Sequence, residues 1–292
     1  MSLLRRSSSL APAIASRPEV RGLVEQARLE LVPMKSVDQA IADLPEASRV
    51  SVTCSPVKGL ATTQDLTARL VGAGHDVVPH LAARLVEGPE HVARLAKWIR
   101  FTGLTEVFVI AGDAEQPVGP YDGAVGFLRE LLEHDTGLRR VGVTAYPDGH
   151  TLLDQSLLRP ALLAKQELLA NAGVSSSATT QMCFDSDKVM SWLADERAAG
   201  LTMPVLLGLP GVVDRARLMT LGVRLGIGAS LRFLSKNKTS MIKMFAPGGY
   251  DPTDLVADIA DCAEALGIVG LHSFTFNSVA DTVAWQRSIL AD

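Results

Sequence analysis

Eight short runs rich in valine, isoleucine and leucine recur along the chain, and longer stretches with helical spacing separate most of them. The runs are ARLELVP, RVSVTCS, DVVPHLA, EVFVIAGD, RVGVTAYP, SATTQMCF, PVLLGLP and VGLHSFTFN. Between them lie helical patterns such as TTQDLTARLVGAG, GPEHVARLAKWIRFTG, YDGAVGFLRELLEH and DSDKVMSWLADERAAG. Start signals stand at Thr63 and at Asp185 or Ser186, and glycine stops at Gly103 and Gly200. Strand–helix alternation repeated this often predicts a single (β/α)8 TIM barrel, in which parallel strands close on themselves inside a coat of helices. A doubly wound open sheet is the alternative fold. Residues 25–292 are expected to form the barrel, preceded by an N-terminal arm over residues 1–24.

Composition agrees with that size of unit. With 292 residues, 47% of them hydrophobic, the chain can bury a substantial core, and a barrel needs about 250 residues as one domain. A formal charge of -4 argues against a nucleic-acid partner. Cys54, Cys183 and Cys262 are far apart and form no CxxC pair, so neither a zinc ribbon nor a disulfide framework is expected, and a reducing cytoplasm fits best. The opening MSLLRRSSSLAPAIASRP lacks acids and carries Arg5 and Arg6, but its apolar stretch is short and broken by prolines. An ordinary arm is favoured over a targeting peptide. No apolar run approaches the roughly 20 residues that span a bilayer, so no membrane role is expected.

Barrels of this kind carry their chemistry where strands end and loops begin. Polar residues collect there. Glu30 lies in the first run, Thr53 near the end of the second, His80 in the third and Asp113 at the close of the fourth. Tyr146 and His150 follow the fifth, Gln181 lies in the sixth, and Asn277 ends the eighth. Any one of these could be a cap or a satisfied buried group, and for His80 or Asn277 alone that reading is preferred. As a set they indicate a site.

Several chemistries find no support in the spacing. His75 and His80 have no HExxH or carboxylate–histidine pattern around them, so no metal site is expected. GLPG and PGGY match neither a phosphate loop nor GxGxxG, no GxSxG elbow occurs, and neither Cys54 nor Cys183 has an evident partner base. What is left suits proton transfer and recognition of a flat heterocycle.

The ordered pieces LEL, VSVT, PHL, GD, AYPDGH, TQMCFD, GLP and LHSFTFN resemble the motifs of the methylenetetrahydrofolate reductase family, in that family's order, from about Glu30 to Asn277. AYPDGH and TQMCFD are the most specific. The resemblance implies an eight-stranded barrel that reduces 5,10-methylenetetrahydrofolate to 5-methyltetrahydrofolate with NADH or NADPH, tetrahydrofolate being the carrier of the one-carbon unit. It implies that Glu30 is the catalytic acid, and burial beside Leu29, Leu31 and Val32 is expected to keep it protonated. It implies that Asp113 and Gln181 bind the pterin, through carboxylate and amide bonds to its ring edge. It also places Thr53, His80, Gly112, Tyr146 and His150 beside the redox cofactor.

The chain departs from the family where a flavin's phosphates would be held. Ala111-Gly112-Asp113 stands where Arg-Gly-Asp is common, the helix after the fifth strand reads KQELLANAG with Lys165 displaced, and Asn277-Ser278 ends the eighth strand where an arginine is frequent. A pyrophosphate needs charge-assisted donors or helix N-termini, so tightly bound FAD is not expected. LRFLSKNKTSMIK, with Arg232, Lys236, Lys238 and Lys243, reads either as a solvated basic loop or as a binding site for nicotinamide-cofactor phosphates or the folate's glutamate tail. The expected partners are therefore a folate and a nicotinamide, with no nucleic acid and no membrane. Two rival functions stay open: another pterin-dependent one-carbon enzyme, such as a methyl transferase, and a folate-binding protein without turnover.

Overall fold

A computed structural model of the chain describes residues 14–150, 153–214 and 250–291. The basic stretch Arg232 to Lys243 lies outside these described residues. The strands are β1 (Arg28–Leu31), β2 (Arg49–Val52), β3 (Asp76–Ala82), β4 (Glu106–Ile110), β5 (Arg140–Ala145), β6 (Ser175–Thr180), β7 (Val205–Pro210) and β8 (Ile268–Phe274). Every neighbouring pair is parallel, and β8 returns to β1, so the sheet is a closed barrel in chain order. Six of the eight sequence runs contain one of these strands whole, and SATTQMCF and VGLHSFTFN overlap β6 and β8.

The connecting helices are α2 (Val37–Ala42), α3 (Gly59–Gly72), α4 (Pro89–Thr102), α5 (Ala124–Leu131), α6 (Gln155–Asn171), α7 (Ser186–Ala198), α8 (Thr253–Ala260), α9 (Ala263–Leu266) and α10 (Val279–Leu290), with α1 (Pro18–Glu25) ahead of β1. The expected stops at Gly103 and Gly200 hold, both glycines having positive φ just past a helix. Asp185 caps α7 by accepting from the Lys188 amide at 3.1 Å. Thr63 does not start its helix. It lies inside α3, which begins at Gly59, and its hydroxyl donates to the Thr53 carbonyl at 3.1 Å. Part of the stretch expected as an arm is α1, whose Val20, Leu23 and Val24 are buried in the core shared with α8 and α10.

Strand alternation separates two kinds of interior. Leu29, Leu31, Val50, Val52 and Val77 face outward and pack with Ala40, Leu66, Leu70, Val279 and Val283 of the helical coat. The main core continues around the other strands through Val107, Val109, Val141, Val143, Leu207 and Leu209. Inward positions are far more polar. At the N-terminal end Arg28 reaches Glu106 at 3.3 Å and Asp76 at 3.8 Å, and Glu106 also meets Arg140 at 3.7 Å. Higher in the barrel Phe108 lies against Gly142, where an added Cβ would come within 2.7 Å of the ring. The glycine makes room for an aromatic in a barrel too narrow for both side chains.

Closure is secured at the seam between β1 and β8. Phe276 and Asn277 both have positive φ, at 49° and 65°, turning the chain sharply after β8. Asn277 then binds both backbone polar groups of one residue: its Oδ1 accepts from the Val32 amide at 2.9 Å and its Nδ2 donates to the Val32 carbonyl at 2.9 Å. A further bond from Nδ2 reaches Ser36 Oγ at 3.2 Å. Asn277, whose bland reading was preferred on sequence, is thus a clasp. Asn277→Ala removes these bonds and places a Cβ residue without a compensating amide at left-handed φ, so it is expected to cost about 1–3 kcal/mol. Urea denaturation should show a lower midpoint with an unchanged slope, and an unmoved midpoint would reject the clasp.

Candidate functional site

Glu30 points into the barrel and is 5% exposed. Its Oε2 lies 3.0 Å from His272 Nε2 on β8 and 3.8 Å from His80 Nε2 on β3. His80 Nε2 also meets Ser51 Oγ of β2 at 2.7 Å. Four strands therefore converge on one buried cluster, with Phe108 stacked at a tilt 4.7 Å from the His80 ring. Burial holds the His80 imidazole well below its ordinary pKa, helped by the nearby His272 and Arg28. It is neutral at neutral pH.

The surroundings of Glu30 differ from the sequence expectation. Leu29 and Leu31 lie on the opposite face of β1, in the helical core, because successive strand residues alternate sides. The acid is enclosed instead by imidazoles, a hydroxyl and aromatic rings. Spacing along the chain revealed no metal-ligand pattern, yet the barrel register brings Glu30, His80 and His272 ligand atoms within 4.8 Å of one another. Hydrogen bonding accounts for this grouping, since the two imidazole Nε2 atoms engage Ser51 and Glu30 directly. Nor is Ser51–His80–Glu30 a nucleophilic triad: hydroxyl and carboxylate approach the same imidazole nitrogen, whereas a relay needs one at each.

A second group lies at the C-terminal mouth. Asp113 follows β4 and is exposed, close enough to Cys54, Tyr146 and His150 to oppose ionisation of the thiol and phenol and to favour the imidazolium. Tyr146 and His150 meet edge to face with ring centroids 4.9 Å apart. Burial raises the Tyr146 pKa and lowers that of His150, so both favour their neutral forms. Gln181 continues β6, its amide donating to the Ala145 carbonyl at 2.7 Å, while its side-chain oxygen accepts from the Met182 amide at 2.8 Å. Thr53 continues the β1–β2 ladder through the Leu31 carbonyl at 3.0 Å, and its hydroxyl is buried without a partner. Gly112 has a φ of 90°, and a Cβ there would come within 2.9 Å of the Ala82 side chain. Its identity follows from backbone geometry and close packing of the β4 loop on β3.

Beside Asp113, Tyr146 and His150 opens a cleft of about 1310 Å³, walled by the loops after β4 and β5 and by α6 and α7. That exceeds the roughly 300–1,000 Å³ of common small-molecule pockets. Its cations are engaged. Arg84 donates to the carbonyls of Ala114, Asp122 and Glu115, Arg159 binds both Glu196 oxygens at 3.0 and 3.1 Å, and Lys188 pairs with Asp148 at 2.6 Å. Lys165 is buried and donates to the Thr144 carbonyl at 3.2 Å, with its pKa pushed down to about 8 by burial.

The sequence-predicted residues thus fall into an inner group, Glu30 and His80, and a mouth group, Thr53, Gly112, Asp113, Tyr146, His150 and Gln181. Sequence reasoning missed Ser51, Phe108 and His272. The signal for His272 was present in LHSFTFN, where two-residue alternation puts His272 and Phe274 on one face. All three cysteines are free, and among the described residues no helix is long and apolar enough to cross a membrane.

No family model matches the chain. Among solved structures it is similar to a Clostridium thermocellum protein that binds two copies of 5-methyl-5,6,7,8-tetrahydrofolic acid, at 14% identity and a TM-score of 0.60, covering 90% of this chain and 94% of that one. It is also similar to a candidate lyase/mutase of Burkholderia cenocepacia J2315, at 16% identity and a TM-score of 0.50, covering 96% and 85%. At such identities the likeness is one of fold: a single eight-stranded parallel barrel shared by proteins of different chemistry.

Proposed function

We propose that this protein reduces 5,10-methylenetetrahydrofolate to 5-methyltetrahydrofolate with a reduced nicotinamide as hydride donor. The observation that carries this reading is Glu30: a carboxyl group turned into the barrel interior, enclosed by His272 and His80. The proposed reaction needs one acid. Protonation of a ring nitrogen opens the five-membered ring to an iminium ion, and hydride then adds to the methylene carbon. One hydride and one proton are consumed for each methyl group formed, and the nicotinamide leaves oxidised. A fold neighbour that binds 5-methyltetrahydrofolic acid in a barrel of the same architecture supports a folate ligand.

Asp113 and Gln181 supply complementary groups for a pterin edge, an acceptor carboxylate and an amide that both donates and accepts. Tyr146 and His150, neutral and edge to face, border the adjoining cleft, where the nicotinamide is assigned. Arg84, Arg159 and Lys188 already have carbonyl or carboxylate partners, and Lys165 is tied to the Thr144 carbonyl, so the pyrophosphate of any dinucleotide, nicotinamide or flavin, would have to displace existing bonds there. In direct transfer the donor and acceptor carbons are brought to a separation of about 3–3.5 Å.

Glu30→Gln keeps the shape of the side chain and loses its transferable proton. Its turnover should fall about 10²–10⁴-fold with folate affinity largely retained; near-wild-type turnover at saturating folate would remove Glu30 from the mechanism. Asp113→Ala and Gln181→Ala should each weaken folate binding by about 1–3 kcal/mol and leave nicotinamide binding little changed. Equal losses for both ligands in calorimetry would indicate collapse of the mouth instead. Finally, protein stripped of flavin should retain methylenetetrahydrofolate-dependent oxidation of the nicotinamide. Activity that vanishes and returns only with added FAD or FMN would restore a flavin relay, and folate binding without any turnover would favour a binding protein.

A further inference from the structure

We propose that His272 is a positioning residue for Glu30: its Nε2–H donates to Oε2, which leaves Oε1 as the oxygen that carries and delivers the proton toward the mouth. The inference rests on the reductase reading and extends it to a residue on the opposite side of the barrel seam. Three observations carry it. First, His272 Nε2 lies 3.0 Å from Glu30 Oε2, and both residues are nine-tenths or more buried. Second, the β1–β8 register pairs His272 with Arg28, two residues before Glu30 and therefore nearer the N-terminal end of the barrel. The bond draws Oε2 downward, away from the mouth. Third, Oε1 has no hydrogen-bond partner among the described residues, so it is the oxygen left for the proton.

The alternative donors to Oε2 are weaker. His80 Nε2 is 3.8 Å away and already engages Ser51 at 2.7 Å. Arg28, on the same strand, is drawn toward Glu106 and Asp76 at the closed end. The charged and titratable groups facing Glu30 are thus His272 from β8, His80 from β3 and Arg28 from β1, with Glu106 and Asp76 behind Arg28. Among the described residues, only His272 is within hydrogen-bond distance of the carboxyl group. Its backbone strand is itself pinned beside β1, since Thr275 Oγ1 donates to the Glu30 carbonyl at 2.5 Å. A carboxyl group held by one oxygen in a rigid frame keeps its other oxygen turned to the opposite side. That turns a flexible acid into a directed one.

The test compares wild-type protein with His272→Phe and His272→Gln in reductase assays across pH, alongside carbon-13 NMR titration of glutamate side chains. Glu30 is identified by the signal missing from Glu30→Gln. His272→Phe should lower kcat about 10-fold or more, short of the ~10²–10⁴ expected for loss of the acid itself, with the folate KM little altered. The alkaline limb of its pH profile should move upward, because the carboxylate has lost a donor that favours its charged form. His272→Gln retains an N–H and should recover most of the rate and the original limb. Wild-type kcat and profile in His272→Phe would overturn the proposal. So would equal impairment of both variants at wild-type thermal midpoints. Should His272→Phe fail to fold, the titration decides: Glu30 and the His272 ring must titrate as a coupled pair, and a Glu30 step that the ring does not follow overturns the assignment. Absence of turnover in the wild type would sink the reductase reading instead, leaving the titration to judge the pair.

Discussion

Barrel closure at the seam between β1 and β8 is the constraint on which the other features depend. The two strands are about as far apart in sequence as the chain allows, with partners separated by 242 and 245 positions. Among the described residues three side chains cross the seam: His272 to the Glu30 carboxyl, Thr275 to the Glu30 carbonyl, and Asn277 to the amide and carbonyl of Val32. A slip of one residue would turn Leu29 and Leu31 into the barrel and push Glu30 among the helices. It would also leave buried polar groups unpaired, at a cost of several kcal/mol for a charged group. Apolar pattern and polar pairing therefore select the same register, and that register is what places the acid.

The polar interior follows from the geometry of small barrels. Eight parallel strands leave space only for side chains, and here the lower part is filled by Arg28, Glu106 and Asp76 and the middle by imidazoles and phenyl rings. Phe108 fits because Gly142 lacks a Cβ. Phe108 and Phe274 pack against the His80 and His272 rings beside the Glu30 cluster. Buried polar groups of this kind strengthen one another's hydrogen bonds but tolerate substitution badly.

The fold could be read from the sequence because its signal is local and repeated. DVVPHLA coincides with β3, and the other runs each contain a strand to within a few residues. Helix ends were legible where one residue does the work, as at Asp185 and Gly103, and illegible at Thr63, where a tertiary bond to the Thr53 carbonyl rather than a cap explains the threonine. Glu30 could be singled out as a carboxylate in an apolar run. Its partner could not, because a diagonal contact across a seam has no expression in chain spacing. His272 is recoverable only after the strand is known to face inward. Nor could the sequence distinguish a free cation from an engaged one: Arg84, Arg159 and Lys188 reveal their partners only once the cleft is formed.

Inner cluster and cleft differ in electrostatic character, and the difference bears on how a ring-to-ring hydride step would be driven. In the cleft, charge is partly cancelled: Arg159 and Lys188 are paired with carboxylates, Arg84 is bound by carbonyls, and Tyr146 and His150 are biased by burial toward neutral forms. Lys165, like Arg84, is held by carbonyl rather than carboxylate oxygen, and burial weakens its hold on the proton to a pKa of about 8. Such walls offer shape and hydrogen bonds more than net field. A flat, uncharged ring loses little on entering them. The work of the proposed reaction then falls on two local devices: alignment of the two rings across the mouth, and one directed proton from below. Both are consequences of strand register, because Tyr146 is placed by the end of β5 and Glu30 by the seam. Changing the loops alone would alter which rings fit without disturbing the acid.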